Sequence, residues 1–302
     1  MLLRSHFIRK FCAEPAAAAR LKLDGWAESV RKSGKLVFVT IGDGKQIVVD
    51  KELAKGVQVG SPISAIGRWQ KSQGDQQEME LVADAFEILG HDSNPRYSAD
   101  VSADNARKKT HLRARHPEFA AILRSRSLIA RATRDFFERL DFVNIDAPKL
   151  TRNDAEGGGE CFEIKGASTF LTVSSQLHLE AMAAKLERVY TLGTAFRAEK
   201  QQSHAHLSEF YMLEAEIAFV QSIDEMCDLI QAYIQTLIHL IEDSPILKSQ
   251  IAKIGHFRNP EDRPNLEKLL DATWPRIRYE EALEILKIPA GSSEGGGFFE
   301  AK

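Results

Sequence analysis

At 302 residues the chain is long enough for two domains, and with 43% hydrophobic and 27% charged residues its composition is that of an ordinary soluble globular protein. A formal net charge of −3 excludes bulk electrostatics as a source of nucleic-acid binding, so any RNA contact must come from local patches. Cys12, Cys161 and Cys227 are too scattered for a disulfide framework or a Cys-based zinc site, and no apolar run reaches the roughly eighteen residues of a membrane-spanning helix.

The first thirteen residues, MLLRSHFIRKFCA, carry Arg4, Arg9 and Lys10 with no acid, among Leu2, Leu3, Phe7, Ile8 and Phe11. That composition suits a basic amphipathic helix, the signature of a mitochondrial transit peptide over residues 1–19; a disordered basic tail has the same composition. From Leu21 to Gly90 five short stretches alternate or run β-branched between Gly-containing turns: LKLDGWAESV, KLVFVTIGDG, KQIVVD, GSPISAIGRW and QEMELVADAFEIL. Five short strands in so small a span predict a closed barrel, with the OB-fold as the natural candidate. OB-folds hold single-stranded nucleic acid by stacking bases on aromatic rings with basic residues around them. Arg31, Phe38 and Gln46 suit a basic contact, a stacking ring and an amide reading a base edge, although pattern alone favours the core over a platform for Phe38.

Residues 91–117 shift in composition to prolines, serines and aspartates with a basic cluster, Arg107, Lys108, Lys109, Arg113 and Arg115, and read as a hinge with solvated charges. Apolar residues then recur at helical spacing from Phe119 to Leu140, and the helix runs into DFVNIDAPKL, an extended segment. TRNDAEGGGECFEI is a glycine-rich loop flanked by Glu156 and Glu160, whose backbone can approach a ligand closely. FLTVSSQLHLE leads from a strand into a helix through Ser174 and Ser175, both good N-cap residues, and sets Gln176 at the helix start.

Val189–Phe196 and Glu209–Val220 read as two strands joined by a polar connection. On the second, Tyr211, Leu213, Ala215, Ile217 and Phe219 share one face, with Met212, Glu214 and Glu216 on the other. Arg197 and Glu199 sit where the first strand gives out, and the Arg fork suits a phosphate or carboxylate. A zinc site on His204, His206 and Glu209 is the formal competitor, but the loop offers no fourth ligand. Ser222–Ile241 is a helix by periodicity, residues 244–275 read as a polar excursion with a short helix near Leu266–Leu270, and RYEEALEILKI is a last amphipathic helix.

FRAE, a polar loop and HLSEFYMLEAE closely resemble motif 2 of the class II aminoacyl-tRNA synthetases, in the aspartate/asparagine/lysine subgroup and most of all the mitochondrial-type asparagine enzymes. The resemblance implies an α+β chain: an N-terminal OB-fold barrel that binds the anticodon over residues 20–90, a hinge over 91–117 and a class II catalytic domain, an antiparallel sheet flanked by helices, over 118–302. GWAESVRKSGKLVFVTIGDG resembles the subgroup's anticodon barrel and implies that Arg31, Phe38 and Gln46 face the anticodon loop. The helix, strand and Pro148 resemble motif 1, which implies a homodimer. The glycine loop resembles the family's flipping loop, in which Glu156 binds the substrate ammonium, and QLHLE is similar to the asparagine enzymes, in which Gln176 holds the amino acid.

Carried over, Arg197 is the catalytic residue, bridging the substrate carboxylate and the α-phosphate of ATP; Glu199 faces the nucleotide, His206 and Leu207 border the phosphates, and Phe210 stacks on adenine. The implied activity is ATP-dependent charging of tRNA(Asn) with asparagine in the mitochondrial matrix, or alternatively the cytoplasm. Aspartyl-tRNA synthetase is the alternative enzyme, and a non-catalytic tRNA-binding or dimerising isoform the alternative outside enzymes. Ala205 stands where the family has Arg and Ser175 where it has Gly or Pro. The resemblance runs over residues 20–287, with no counterpart of motif 3 or of the acidic residues that hold Mg²⁺. An incomplete catalytic sheet, exposed apolar edges and weak stability or activity of the chain alone are therefore expected, with no metal ligand in it.

Overall fold

The computed structural model describes residues 20–42, 44–74, 77–90, 102–153, 161–198, 206–255, 266, 269–270 and 274–286. The chain divides into two units, Met1–Ile122 and Leu123–Lys302.

In the first unit, the alternating stretches form β1 (Arg20–Ser33), β2 (Leu36–Ile41), β3 (Lys45–Asp50), β4 (Pro62–Lys71) and β5 (Met79–Ile88), closed into a barrel in the order β1-β2-β3-β5-β4. Leu21, Leu23, Val37, Val39, Ile41, Ile47, Val49, Ile63 and Leu81 point inward and are buried, as period-two patterning requires. Closure comes from the parallel pairing of β3 with β5, Gln46 opposite Glu80 through Val48 opposite Val82. β4 and β5 run so close at Gly67 that a Cβ there would lie 2.0 Å from the Val82 carbonyl oxygen. The register shifts at the same place, Ile66 facing Ala85 and Gly67 facing Ala83. Asp84, the extra residue of that bulge, takes the Arg20 fork on both carboxylate oxygens at 2.6 and 2.8 Å.

The stretch read as a hinge is not simply a solvated linker in its described part. It holds two short helices, α1 (Ala103–Arg107) and α2 (Thr110–Arg113). Its arginines lie on aromatic faces: Arg107 and Arg113 over Phe119 at 5.6 and 5.8 Å, and Arg115 over Trp26 at 5.2 Å. His116, buried beside them, meets the Phe119 ring edge-on at 5.8 Å.

α3 (Pro117–Arg139) leads into the second unit. It ends with the Phe142 N–H donating to the Phe137 carbonyl and the Asp141 N–H to that of Glu138, with Asp141 at φ 61. This is the paired 6→1 and 5→2 arrangement of a Schellman terminus, and its apolar contact is present as well: the Phe137 and Phe142 rings meet edge to face at 5.1 Å. The chain continues as β6 (Val143–Asn144), β7 (Leu150–Thr151), β8 (Phe170–Leu171), α4 (Gln176–Leu186), β9 (Arg188–Phe196) and β10 (Glu209–Ile217). The sheet order is β10-β9-β6, antiparallel between β10 and β9 but parallel between β6 and β9. The described sheet is therefore mixed rather than wholly antiparallel, because the segment between β6 and β9, including α4, returns the chain as a crossover.

The two faces of β9 and β10 are buried by different helices. Tyr190, Leu213, Ala215 and Ile217 pack on Phe137 of α3 and on Leu229 and Tyr233 of α5 (Ile223–Asp243). Val189, on the other face, packs on Leu179 and Ala183 of α4. Phe219 does not continue the apolar stripe. β10 stops at Ile217, and Phe219 turns to φ 64 and is 82% exposed. The polar excursion contains a helix that periodicity did not reveal, α6 (Pro245–Ile251), with the Ser244 hydroxyl accepting from the Leu247 N–H and Pro at its first turn. The last amphipathic stretch is α7 (Tyr279–Leu286), preceded by Arg276, which is bonded to Asp224 and Asp228 of α5.

Candidate functional site

On the barrel, the strand pleat decides where the three candidate residues go. Val37 and Val39 enter the core, so Phe38 between them faces outward and is half-buried; the core alternative for it is overturned. Arg31 is its direct cross-strand partner, with the guanidinium carbon 4.8 Å from the ring centroid. Gln46 lies on the same outer face, opposite Thr40, while Phe38 opposes Val48 two residues on. Its Nε2 donates to Glu80 at 3.1 Å, and Glu80, only 6% exposed, also accepts from Ser72 Oγ at 3.0 Å. Arg31, Phe38 and Gln46 thus share one polar–aromatic surface, floored by a buried carboxylate that sequence reasoning did not single out.

The second site is built by the β9–β10 register. Phe210 opposes Ala195, Met212 opposes Gly193, Glu214 opposes Thr191 and Glu216 opposes Val189. All eight share the face that α4 covers at its Val189 end. Arg197 extends this row: its N–H donates to the Ser208 carbonyl at 3.1 Å, and its guanidinium carbon lies 5.4 Å from the Phe210 ring centroid. Arg197 and Phe210 are therefore brought together. His206 and Leu207 are exposed at the return of the connection, Leu207 at 57%. Glu156 and Glu199 lie outside the described residues.

Gln176 opens α4 on the same side, with its Nε2 donating to Glu180 at 2.9 Å. The capping differs from expectation. Ser175 is the N-cap but makes no side-chain cap bond, and the Ser174 hydroxyl accepts from the Gln176 N–H at 3.0 Å instead. Ser174 Oγ donates in turn to Glu214, and the Ser175 N–H reaches both Glu214 oxygens at 2.9 and 3.0 Å. A carboxylate held by a backbone N–H and a hydroxyl keeps its direction. Glu214 is the site residue that sequence reasoning missed: strand parity assigned its face, but its lock to Ser174 and Ser175 depends on contacts about forty residues apart. Beside this lock a cleft of about 230 Å³ is lined by Pro148, Thr151, Thr172, Ser174 and His178, so His178 borders the site. Burial, with added repulsion from Glu180 and Glu214, holds the Glu216 carboxyl above the usual range.

An Arg over an aromatic ring, a locked carboxylate and a polar helix start on one sheet face can bind a small zwitterion joined to a phosphate. A family model for class II tRNA synthetases (D, K and N) matches residues 102–296. The chain belongs to that family. A model for the OB-fold nucleic acid binding domain matches residues 21–89 of the chain. Human asparaginyl-tRNA synthetase is 34% identical over 299 residues, covering 91% of the chain and 62% of the relative. A protein of Dictyostelium discoideum described as probable asparagine–tRNA ligase, mitochondrial, is 32% identical over 287 residues, covering 88% and 62%. The crystal structure of asparaginyl-tRNA synthetase from Pyrococcus horikoshii complexed with asparaginyl-adenylate is similar at a TM-score of 0.76 and 26% identity, covering 90% of the chain and 64% of that structure. The chain spans less than two thirds of the length of these relatives. No helix among the described residues is long and apolar enough to cross a membrane.

Proposed function

We propose that the chain acts as an asparagine–tRNA ligase, binding asparagine and ATP on the β9–β10 face and tRNA(Asn) on the barrel. The observation that carries the reading is the row formed by Arg197 on Phe210 and the Glu214 lock beside the start of α4. In the first step the asparagine carboxylate attacks the α-phosphorus of ATP, forming the acyl–phosphate bond as pyrophosphate leaves. Arg197 sits where the two negative groups meet and lowers their repulsion with a planar fork of donors. Phe210 offers its ring to adenine, Glu199 faces the nucleotide, and His206 and Leu207 border the phosphates. Glu156 pairs with the substrate ammonium and Gln176 holds the amino acid. In the second step the terminal ribose hydroxyl of the tRNA attacks the acyl carbon and AMP leaves. Positioning and charge neutralisation supply most of the acceleration.

Mg²⁺ is the ion such an ATP reaction ordinarily uses. Among the described residues no group of three or more His, Cys, Asp or Glu is placed to hold a metal. On the barrel, Arg31 and Phe38 stack an anticodon base and Gln46 reads its edge. The arginines that lie on Phe119 and Trp26 suit RNA backbone. By the same reading the chain forms a homodimer through α3 and β6 and works in the mitochondrial matrix, in keeping with the Dictyostelium relative's name, with the cytoplasm as the alternative.

Isotope exchange between ATP and pyrophosphate tests the reading. Exchange that depends on asparagine and not on aspartate is expected. Exchange driven by aspartate would make the chain an aspartyl enzyme, and tRNA retention with no exchange would leave only a binding protein.

A further inference from the structure

We infer that Lys149 is a substrate-binding residue of this site, its ammonium donating to the side-chain carbonyl oxygen of asparagine; the inference rests on the ligase reading above. Three observations carry it. The first is position. On the site face of β9 the row runs Thr191, Gly193, Ala195 and Arg197, and a Cβ at Gly193 would lie 2.8 Å from Lys149 Nζ and 3.6 Å from its Cε. Glycine leaves open the space that the ammonium fills.

The second is anchoring. The Thr172 N–H donates to the Lys149 carbonyl at 2.9 Å, and the Phe196 N–H donates to the Thr172 carbonyl at 3.0 Å. The Lys149 backbone is therefore tied to the same strand end that carries Arg197. The third is charge. Lys149 is half-buried and forms no ion pair or side-chain hydrogen bond among the described residues. An ammonium drawn off the solvent without a fixed partner suits a site whose partner arrives with the ligand.

The chemistry follows from the spacing. Residues two apart on one strand face are separated by about 7 Å. Lys149 Nζ is thus about one such step from the Thr191–Glu214 pair and two from Arg197. A substrate whose carboxylate meets Arg197 and whose side chain points toward Glu214 crosses Gly193. A carboxamide offers one acceptor and two N–H donors, so an ammonium and a carboxylate together satisfy it. An aspartate side chain, with acceptors only, would leave Glu214 opposed by like charge.

Two variants remove the ammonium by different routes. Lys149→Met deletes it, and Gly193→Ala displaces it by a Cβ that meets only the flexible end of the lysine and an ordinary contact to Thr191. Calorimetric titration with the non-hydrolysable asparaginyl-sulfamoyl-adenosine, and separately with ATP, reads the effect. Analogue affinity is expected to fall about tenfold to a hundredfold in both variants, the range for a charge-assisted hydrogen bond, with ATP affinity unchanged and Lys149→Arg partly retaining the analogue. Unchanged analogue affinity in a folded Lys149→Met would overturn the assignment and leave the ligase reading standing. Failure of the unsubstituted chain to bind the analogue would remove both. Should Lys149→Met not fold, Gly193→Ala decides alone.

Discussion

Asp141 turns the chain out of α3 at φ 61, a conformation that costs an L-residue about 1 kcal/mol and glycine almost nothing. Asp141→Gly, leaving the bonds to Phe137 and Glu138 in place, is therefore expected to stabilise the protein by about 1 kcal/mol in urea titration. Glu216 works in the opposite sense to a paired acid. Burial, then repulsion from Glu180 and Glu214, raises its folded-state pKa, so the folded protein binds that proton more tightly than the unfolded chain does. Stability from this group is greatest below the ordinary carboxylate value of 4.5 and is lost as pH rises through the higher folded value. Glu216→Gln should raise Tm near neutrality, and the gain should shrink toward pH 4.5. A gain equal at both would sink the electrostatic explanation.

Among the elements, β4 and β5 form the most constrained pair. Gly67 has no room for a methyl group, since the Val82 carbonyl that would meet it is backbone and cannot step aside. Gly67→Ala should cost about 3 kcal/mol, read as a lower urea midpoint, because either strand must shift to accept the Cβ. The five barrel strands were legible because Leu21/Leu23, Val37/Val39 and Ile47/Val49 alternate cleanly. Phe219 was misread because its side chain suits a strand while its backbone reverses, and side-chain type does not record φ. α6 was missed although Ser244 and Pro245 form a recognisable helix start, because too few apolar residues follow to show a period. Of the candidate site, the pairing of Arg197 with Phe210 lies within the FRAE and HLSEFYMLEAE stretches. Glu214 and Lys149 were not legible, since the roles proposed for them rest on the register of β9 against β10 and on a space left by Gly193.

The two candidate surfaces among the described residues lie in different units, one on the barrel and one on the β9–β10 face. Phe38→Ala should lower the affinity for tRNA(Asn) about tenfold, the loss of one stacked base, while asparaginyl-sulfamoyl-adenosine binding stays the same. Filter binding for one and calorimetry for the other check the pair. A parallel fall in both would mean that the barrel substitution unfolds more than its own unit.

The closing of the barrel also has a consequence for synthesis. β5 is the last strand made, yet it alone joins β4 to β3, in contacts such as Gln46 with Glu80, thirty-four residues apart. A nascent chain that has not yet released Ile88 from the ribosome therefore holds four strands with two open edges. Loop closure over such distances makes folding slow relative to local helix formation. Until β5 arrives, the half-made barrel presents unpaired strand edges, and its protease resistance should appear in a single step once Met79–Ile88 emerges.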